Sequence, residues 1–201
     1  MKLYYSATSP YVRKVNVFAI EAGLDEKIEK IVTNPWVMDA RLLADNPLSK
    51  VPTLIIDDGT VLYDSPVICE YLDSVNSGQK LIPAADMERW KALRLQALGD
   101  GILDAAVLRF LERKRPEAQQ SSDWDADQQA AIQRALVCLE NNIDDWKKDL
   151  TIGQITLGCA LGYLDFRFAS ENWRKNQPLL AKWHSAIAER TSMQKTQPQI
   201  T

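Results

Sequence analysis

The run Val51-Pro52-Thr53-Leu54 constrains the fold of this chain more than any other four residues. Proline has no N–H to give to a ladder, so a proline opening an apolar run belongs at the first position of a strand. A strand entered through a cis Val51–Pro52 bond would turn sharply and leave the N–H and C=O of Val51 facing outward. An extended peptide can then pair with Val51 as an added strand, with main-chain hydrogen bonds giving affinity and neighbouring side chains giving specificity. Only about 5–6% of X–Pro bonds in folded proteins are cis, so these four residues alone favour an ordinary trans proline at the strand start.

Before that run the chain reads as alternating elements. Leu3-Tyr4-Tyr5 is a short β-prone segment, and Ser9-Pro10 is a capping serine followed by proline at the first helical position. Val12, Val15, Phe18, Ala19 and Ala22 recur at helical spacing, and Gly23 supplies a left-handed stop. Ile28 to Thr33 is a second strand, which makes a right-handed parallel unit with the first. A short helix is expected from Met38 to Ala44, before Asn46-Pro47. Pro52 to Ile56 and Val61 to Tyr63 flank Asp57-Asp58-Gly59-Thr60, a strong hairpin signal. Asp64-Ser65-Pro66 then reads as a second serine cap with proline at N1, opening a helix that carries Val67, Ile68, Tyr71, Leu72 and Val75. The order β-α-β-α-β-β-α is the thioredoxin-like arrangement, and both capped helix N-termini are natural anion sites near the strand led by Pro52.

Asn76 to Lys80 is turn-forming and begins a linker. A long helix is expected from Met87 to about Lys114, weakened at Gly99 and Gly101, where a kink or a close helix contact is the expected reason. Trp124 to Lys148 reads as another long helix with Ile132, Leu136, Leu139, Ile143 and Trp146 on one face. Thr151 and Gln154 form a capping box with Leu150 and Ile155 as its staple. The following helix holds Asp165, read as a structural acid, and the last, from Pro178 to Arg190, holds His184, the only histidine. No Cys or acid cluster stands at ligand spacing beside His184, so no metal is expected. Thr191 to Thr201 reads as a polar tail.

Composition narrows the function. A chain of 201 residues, 46% hydrophobic and 25% charged, is an ordinary globular protein of one large or two small domains. Its net charge of −3 lacks the basic footprint of nucleic-acid binding. The cluster Arg109, Arg113, Lys114 and Arg115 lies at a predicted helix end, where cations complement the dipole. No run approaches the ~18 apolar residues of a membrane span. Ser6, Thr8, Ser9 and Pro10 interrupt any secretory signal, so a cytoplasmic location is expected. Cys69, Cys138 and Cys159 sit in apolar helical patterns and read as reduced core cysteines.

At Ser9-Pro10-Tyr11-Val12-Arg13-Lys14 the chain resembles the glutathione S-transferases, and more narrowly a bacterial branch whose first helix begins Ser-Pro-Tyr/Phe-Val-Arg-Lys. The resemblance extends through Asn46-Pro47, Lys50-Val51-Pro52-Thr53-Leu54 and Asp64-Ser65-Pro66 into the helical second half. It implies a thioredoxin-like glutathione-binding domain over residues 1–76, a linker over 77–86 and an all-helical domain over 87–201. It also implies that Pro52 is cis, that Val51 pairs with the cysteinyl part of glutathione, and that Lys50 meets its glycine carboxylate. Ser65 would hold the γ-glutamyl carboxylate and Asp64 the γ-glutamyl ammonium. Relatives commonly carry Gly where this chain has Ser49.

Ser9 falls at the catalytic position, where omega-class relatives carry cysteine; the residue pattern by itself is satisfied by a helix cap, and Tyr5 and Thr8 are rival hydroxyls. The function implied is transfer of glutathione to a small electrophile, in a detoxifying homodimer with no metal. Reduction of disulfides or peroxides by bound glutathione, and a non-catalytic interaction module, are the alternatives.

Overall fold

The computed structural model describes residues 1–34, 36, 37, 39–147 and 149–198. Two compact units divide the chain, Met1–Ala84 together with Thr191–Thr201 in one, and Ala85–Arg190 in the other.

In the first unit β1 (Lys2–Tyr5), α1 (Pro10–Glu21), β2 (Glu29–Val32), α2 (Ala40–Asp45), β3 (Thr53–Ile55), β4 (Val61–Leu62) and α3 (Ser65–Val75) follow the thioredoxin-like order. The sheet runs β2-β1-β3-β4. β1 pairs parallel with β2 and antiparallel with β3, and β3 pairs antiparallel with β4. Leu3 and Leu54 pair in the sheet and are fully buried, as expected of central strands. Val12, Val15, Phe18 and Ala19 bury the inner face of α1, and Gly23, at φ +67°, ends it.

The turn into β4 uses Gly59 at φ +89°, a left-handed position that costs a glycine no steric strain. Helix α2 starts at Ala40, with the Asp39 carboxylate accepting from the Arg41 N–H at 2.9 Å; Met38, where the sequence places its start, lies outside the described residues.

The second unit holds α4 (Asp86–Glu112), α5 (Ser122–Asn141), α6 (Ile143–Trp146), α7 (Ile152–Arg167) and α8 (Pro178–Ala188). The single helix expected from Trp124 is divided at Asn142, whose φ of −117° and ψ of 23° leave the helical region; Lys148 lies outside the described residues. The capping box forms as expected, with the Thr151 N–H donating to Gln154 Oε1 at 3.0 Å. Helix α7 is buried from Ile152 through Leu161 and packs along α4.

Gly99 and Gly153 make that approach close. A Cβ on Gly153 would meet the Ala92 carbonyl oxygen at 2.8 Å, and one on Gly99 would meet Thr156 Cγ2 at 2.9 Å, whereas a Cβ on Gly101 would point into open space. Of the two glycines that weaken α4 in the sequence, only Gly99 serves a helix contact.

The basic cluster at the end of α4 does more than complement a dipole. Arg109 is 1% exposed and forks onto two carboxylates, Asp125 (3.0 and 3.1 Å) and Glu171 (2.9 Å twice). Arg113 bridges the same two acids, and both guanidiniums lie over the Phe168 ring. Asp165 is a structural acid, as read, accepting from Trp173 Nε1 at 2.8 Å and from Arg174, which also reaches the His184 Nδ1. Cys69 and Cys159 are buried, but Cys138 is exposed on α5, a correction to its reading as core.

Where the sequence reads as a polar tail, Thr191–Lys195 forms α9 and packs on α1 in the first unit. Arg13 Nη2 donates to the Met193 carbonyl at 3.3 Å, and the Ser192 hydroxyl to Glu21 at 2.5 Å. Gln199, Ile200 and Thr201, which the tail reading also covers, lie outside the described residues. Among the described residues no helix is long and apolar enough to cross a membrane.

Candidate functional site

The chain reaches the start of β3 through a loop fastened by one buried side chain. Asn46 donates from Nδ2 to the Lys50 carbonyl at 3.2 Å and to Thr53 Oγ1 at 2.9 Å, and accepts at Oδ1 from the Leu48 N–H at 2.9 Å. The Thr53 hydroxyl donates to the same Lys50 carbonyl at 2.8 Å. The Lys50 C=O is thereby held inward while its side chain is exposed. Asn46 and Thr53 enter the sequence reading only as parts of the Asn46-Pro47 and Lys50-Val51-Pro52-Thr53-Leu54 motifs, not as site residues.

The Val51–Pro52 bond that follows is cis. The Val51 side chain, 9% exposed, packs with Tyr4, Val12 and Leu42 in a core cluster. Among the described residues neither the N–H nor the C=O of Val51 has a hydrogen-bond partner. The side chain anchors the residue, and the backbone remains a free edge.

Ser49, two residues earlier, sits at φ +52°. That left-handed conformation costs a non-glycine residue about 1–2 kcal/mol, so the loop keeps a glycine-like backbone with serine in it. Ser49→Gly is expected to raise the unfolding free energy by about 1 kcal/mol after glycine's own entropy cost, read from the urea midpoint; a midpoint that does not rise would refute the strain.

Three further groups converge on this end of the sheet. Tyr4 pairs with Thr53, so the loop after β1 and the start of α1 lie at the end of β3 where Pro52 enters. Ser9 is the N-cap of α1, as expected, and its Oγ accepts from the Val12 N–H at 3.3 Å. Because the cap uses a lone pair, the hydroxyl proton stays available for donation outward. Tyr5 and Thr8 are also half-buried, but neither is part of a helix N-terminus. The Tyr4 hydroxyl is committed to Asp45 at 2.6 Å, and burial, reinforced by that carboxylate, has pushed its pKa up to about 12.

Leu62 pairs with Leu54, so Asp64 and Ser65 follow at the same end of β3. The cap of α3 differs from the sequence reading by one residue: Asp64 is the N-cap, Ser65 is N1 and Pro66 is N2. The exposed Asp64 carboxylate makes no capping bond, and the Tyr63–Asp64 peptide is cis. Ser65 is 1% exposed, yet among the described residues its hydroxyl and N–H have no partner, and neither has the Val67 N–H. Pro66 offers no N–H of its own. Two main-chain donors and a hydroxyl at a helix N-terminus fit a carboxylate. Among the described residues no group of His, Cys, Asp and Glu is placed to hold a metal ion.

The sequence matches a family model described as the N-terminal domain of glutathione S-transferase over residues 8–75. It is 36% identical over 201 residues, 98% of each chain, to the uncharacterized GST-like protein YibF of Escherichia coli. Among solved structures, a glutathione transferase family member from Pseudomonas fluorescens with bound glutathione aligns at a TM-score of 0.95 and 42% identity, covering 99% of both chains. A glutathione S-transferase from Methylobacillus flagellatus, also with glutathione bound, aligns at 0.93 and 36% identity, covering 98% of this chain and 99% of that one.

Proposed function

The chain belongs to the glutathione S-transferase family, and from that membership we propose that it binds glutathione along the edge led by Pro52 and activates the thiol for attack on a small electrophile. The observation that carries this reading is the unpaired main chain of Val51 beside the capped start of α1. The cysteinyl backbone of glutathione pairs there as an added strand. Lys50 meets the glycine carboxylate. The Ser65 hydroxyl and N–H hold the γ-glutamyl carboxylate, and Asp64 takes the γ-glutamyl ammonium. Relatives crystallised with glutathione support glutathione as the co-substrate.

Ser9 is the catalytic residue of this proposal. Its hydroxyl donates to the thiolate, and the positive end of α1 adds to the stabilisation. Lowering a thiol pKa of about 8.5 by about 2 units corresponds to roughly 2.7 kcal/mol, within reach of one hydroxyl and a helix terminus. The thiolate is the nucleophile, so a majority thiolate at neutral pH is the enzyme's main chemical contribution, together with orientation. Family membership also carries the proposal of a homodimer, which sedimentation at micromolar concentration reads.

Calorimetric titration with glutathione tests the binding half: saturable uptake is expected, and no detectable heat would end the transferase reading. Ser9→Ala is expected to keep that binding and to lower turnover of an aryl halide by about tenfold to a hundredfold, the value of one hydrogen bond to a charged group. Unaltered turnover would move the role to Tyr5 or Thr8.

A further inference from the structure

Ser9, Arg13 and Asn16 stand at i, i+4 and i+7 and share one face of α1. Along that face lies a small cleft of the first unit, lined by Tyr5, Ser6, Arg13, Asn16, Lys30 and Lys195 among others. Its three cations come from α1, β2 and α9, elements far apart in sequence that only the fold brings together. Among the described residues no carboxylate pairs with any of the three. Lys30 lies over the Tyr5 ring at 5.1 Å. Arg13 gives Nη2 to the Met193 carbonyl, but its Nε is buried with no acceptor. A buried guanidinium N–H without a partner is a costly arrangement, and it marks a place where an incoming acceptor gains a charge-assisted bond.

We propose that this cleft is a subsite for a small oxyanion of the carboxylate class, held by Arg13 with Lys30 and Lys195. Because Arg13 stands one turn along α1 from Ser9, on the same face, its occupant is the acid group of the electrophile, a statement that rests on the transferase reading; the anion subsite itself rests on charge and geometry alone. In the reaction the glutathione sulfur forms a bond to the carbon bearing the leaving group, chloride departs with its electron pair, and the carboxylate in the cleft is unchanged. The selectivity is for acidic electrophiles over neutral ones.

Two measurements test this. In the first, sulfate replaces chloride at constant ionic strength during thermal unfolding. The native protein is expected to gain Tm with sulfate, and Lys195→Gln and Arg13→Gln to lose most of that gain. The second compares 4-chloro-3-nitrobenzoate with its methyl ester. In Lys30→Gln and Lys195→Gln, which leave the Arg13 anchor of α9 in place, the acid-to-ester ratio of kcat/KM is expected to fall about tenfold, mainly through KM, as one charged contact is lost. A sulfate response with an unmoved ratio would reassign the cleft to a free inorganic anion and overturn the electrophile assignment. No response in either overturns the subsite. Failure of glutathione to bind would remove the transferase reading but not the sulfate result, so the two fail separately.

Discussion

Replacing Arg109 by methionine lowers the unfolding free energy by about 3 kcal/mol at pH 7. Removing one partner of a buried ion pair generally costs about 3–5 kcal/mol, because the charge left behind has lost its compensation. The low end applies here: Asp125 and Glu171 are each 22% exposed, and Arg113 still bridges them. The variant is expected to recover part of the loss when both acids are also neutralised, as Asp125→Asn with Glu171→Gln.

The same cluster sets a pH dependence. Burial pulls Asp125 and Glu171 up, but the bonds from Arg109 and Arg113 outweigh it, and both acids titrate below their ordinary values in the folded protein. Their contribution is therefore complete above the unfolded values of about 3.9 and 4.3, and is lost as pH falls through the lower folded values. Urea unfolding of both proteins at pH 7 and pH 3 is the measurement, with the gap between them expected to narrow on acidification. A gap below about 1 kcal/mol at pH 7, or one that widens at pH 3, would contradict the account.

Gly153→Ala is the second large effect, a loss of about 2–3 kcal/mol. The added methyl would sit 2.8 Å from both the Ala92 carbonyl oxygen and Leu95 Cβ. One of these atoms is backbone in the middle of a helix, so relief requires α4 and α7 to separate, and overpacking of this kind costs about 1–3 kcal/mol. Gly101→Ala, on the same α4, is expected to do the opposite. Its Cβ meets nothing, and alanine gains up to about 1 kcal/mol over glycine inside a helix. Opposite shifts of the urea midpoint in the two variants are the expected signature; equal shifts would show that helix propensity, not the interhelical approach, sets the response.

The features legible in the sequence are those whose signal spans a few residues. Ser9-Pro10 caps α1, Asp58-Gly59 makes the hairpin turn, and Thr151 with Gln154 forms a capping box, because each is a contact between residues at most four apart. The order of strands and helices in the first unit follows from such signals.

What was not legible needs chain segments brought from a distance. Arg109, Asp125 and Glu171 belong to three elements, and nothing local to Arg109 distinguishes a buried fork from a solvated helix end. Arg13, Lys30 and Lys195 are a comparable case. The start of α3 lies between: the Asp64-Ser65-Pro66 run signals a helix start, but which of Asp64 and Ser65 caps depends on a one-residue difference in backbone geometry that propensity does not resolve. Asn46 stands in the sequence only as part of the Asn46-Pro47 motif, and its three bonds become visible once the loop is closed.

Helix α9 carries a consequence for how the protein is made. The first unit is assembled from two stretches of chain separated by the whole of Ala85–Arg190. At synthesis rates of about 5–20 residues per second, roughly 5–20 s pass between completion of the first stretch and arrival of Met193. Throughout that interval the flank of α1 that Met193 covers is exposed on the ribosome, and the Arg13 guanidinium lacks the carbonyl that receives it. The nascent first unit is thus the earlier to be translated and the later to be completed, a window in which a chaperone or a neighbouring nascent chain has access to a surface that α9 covers in the finished protein.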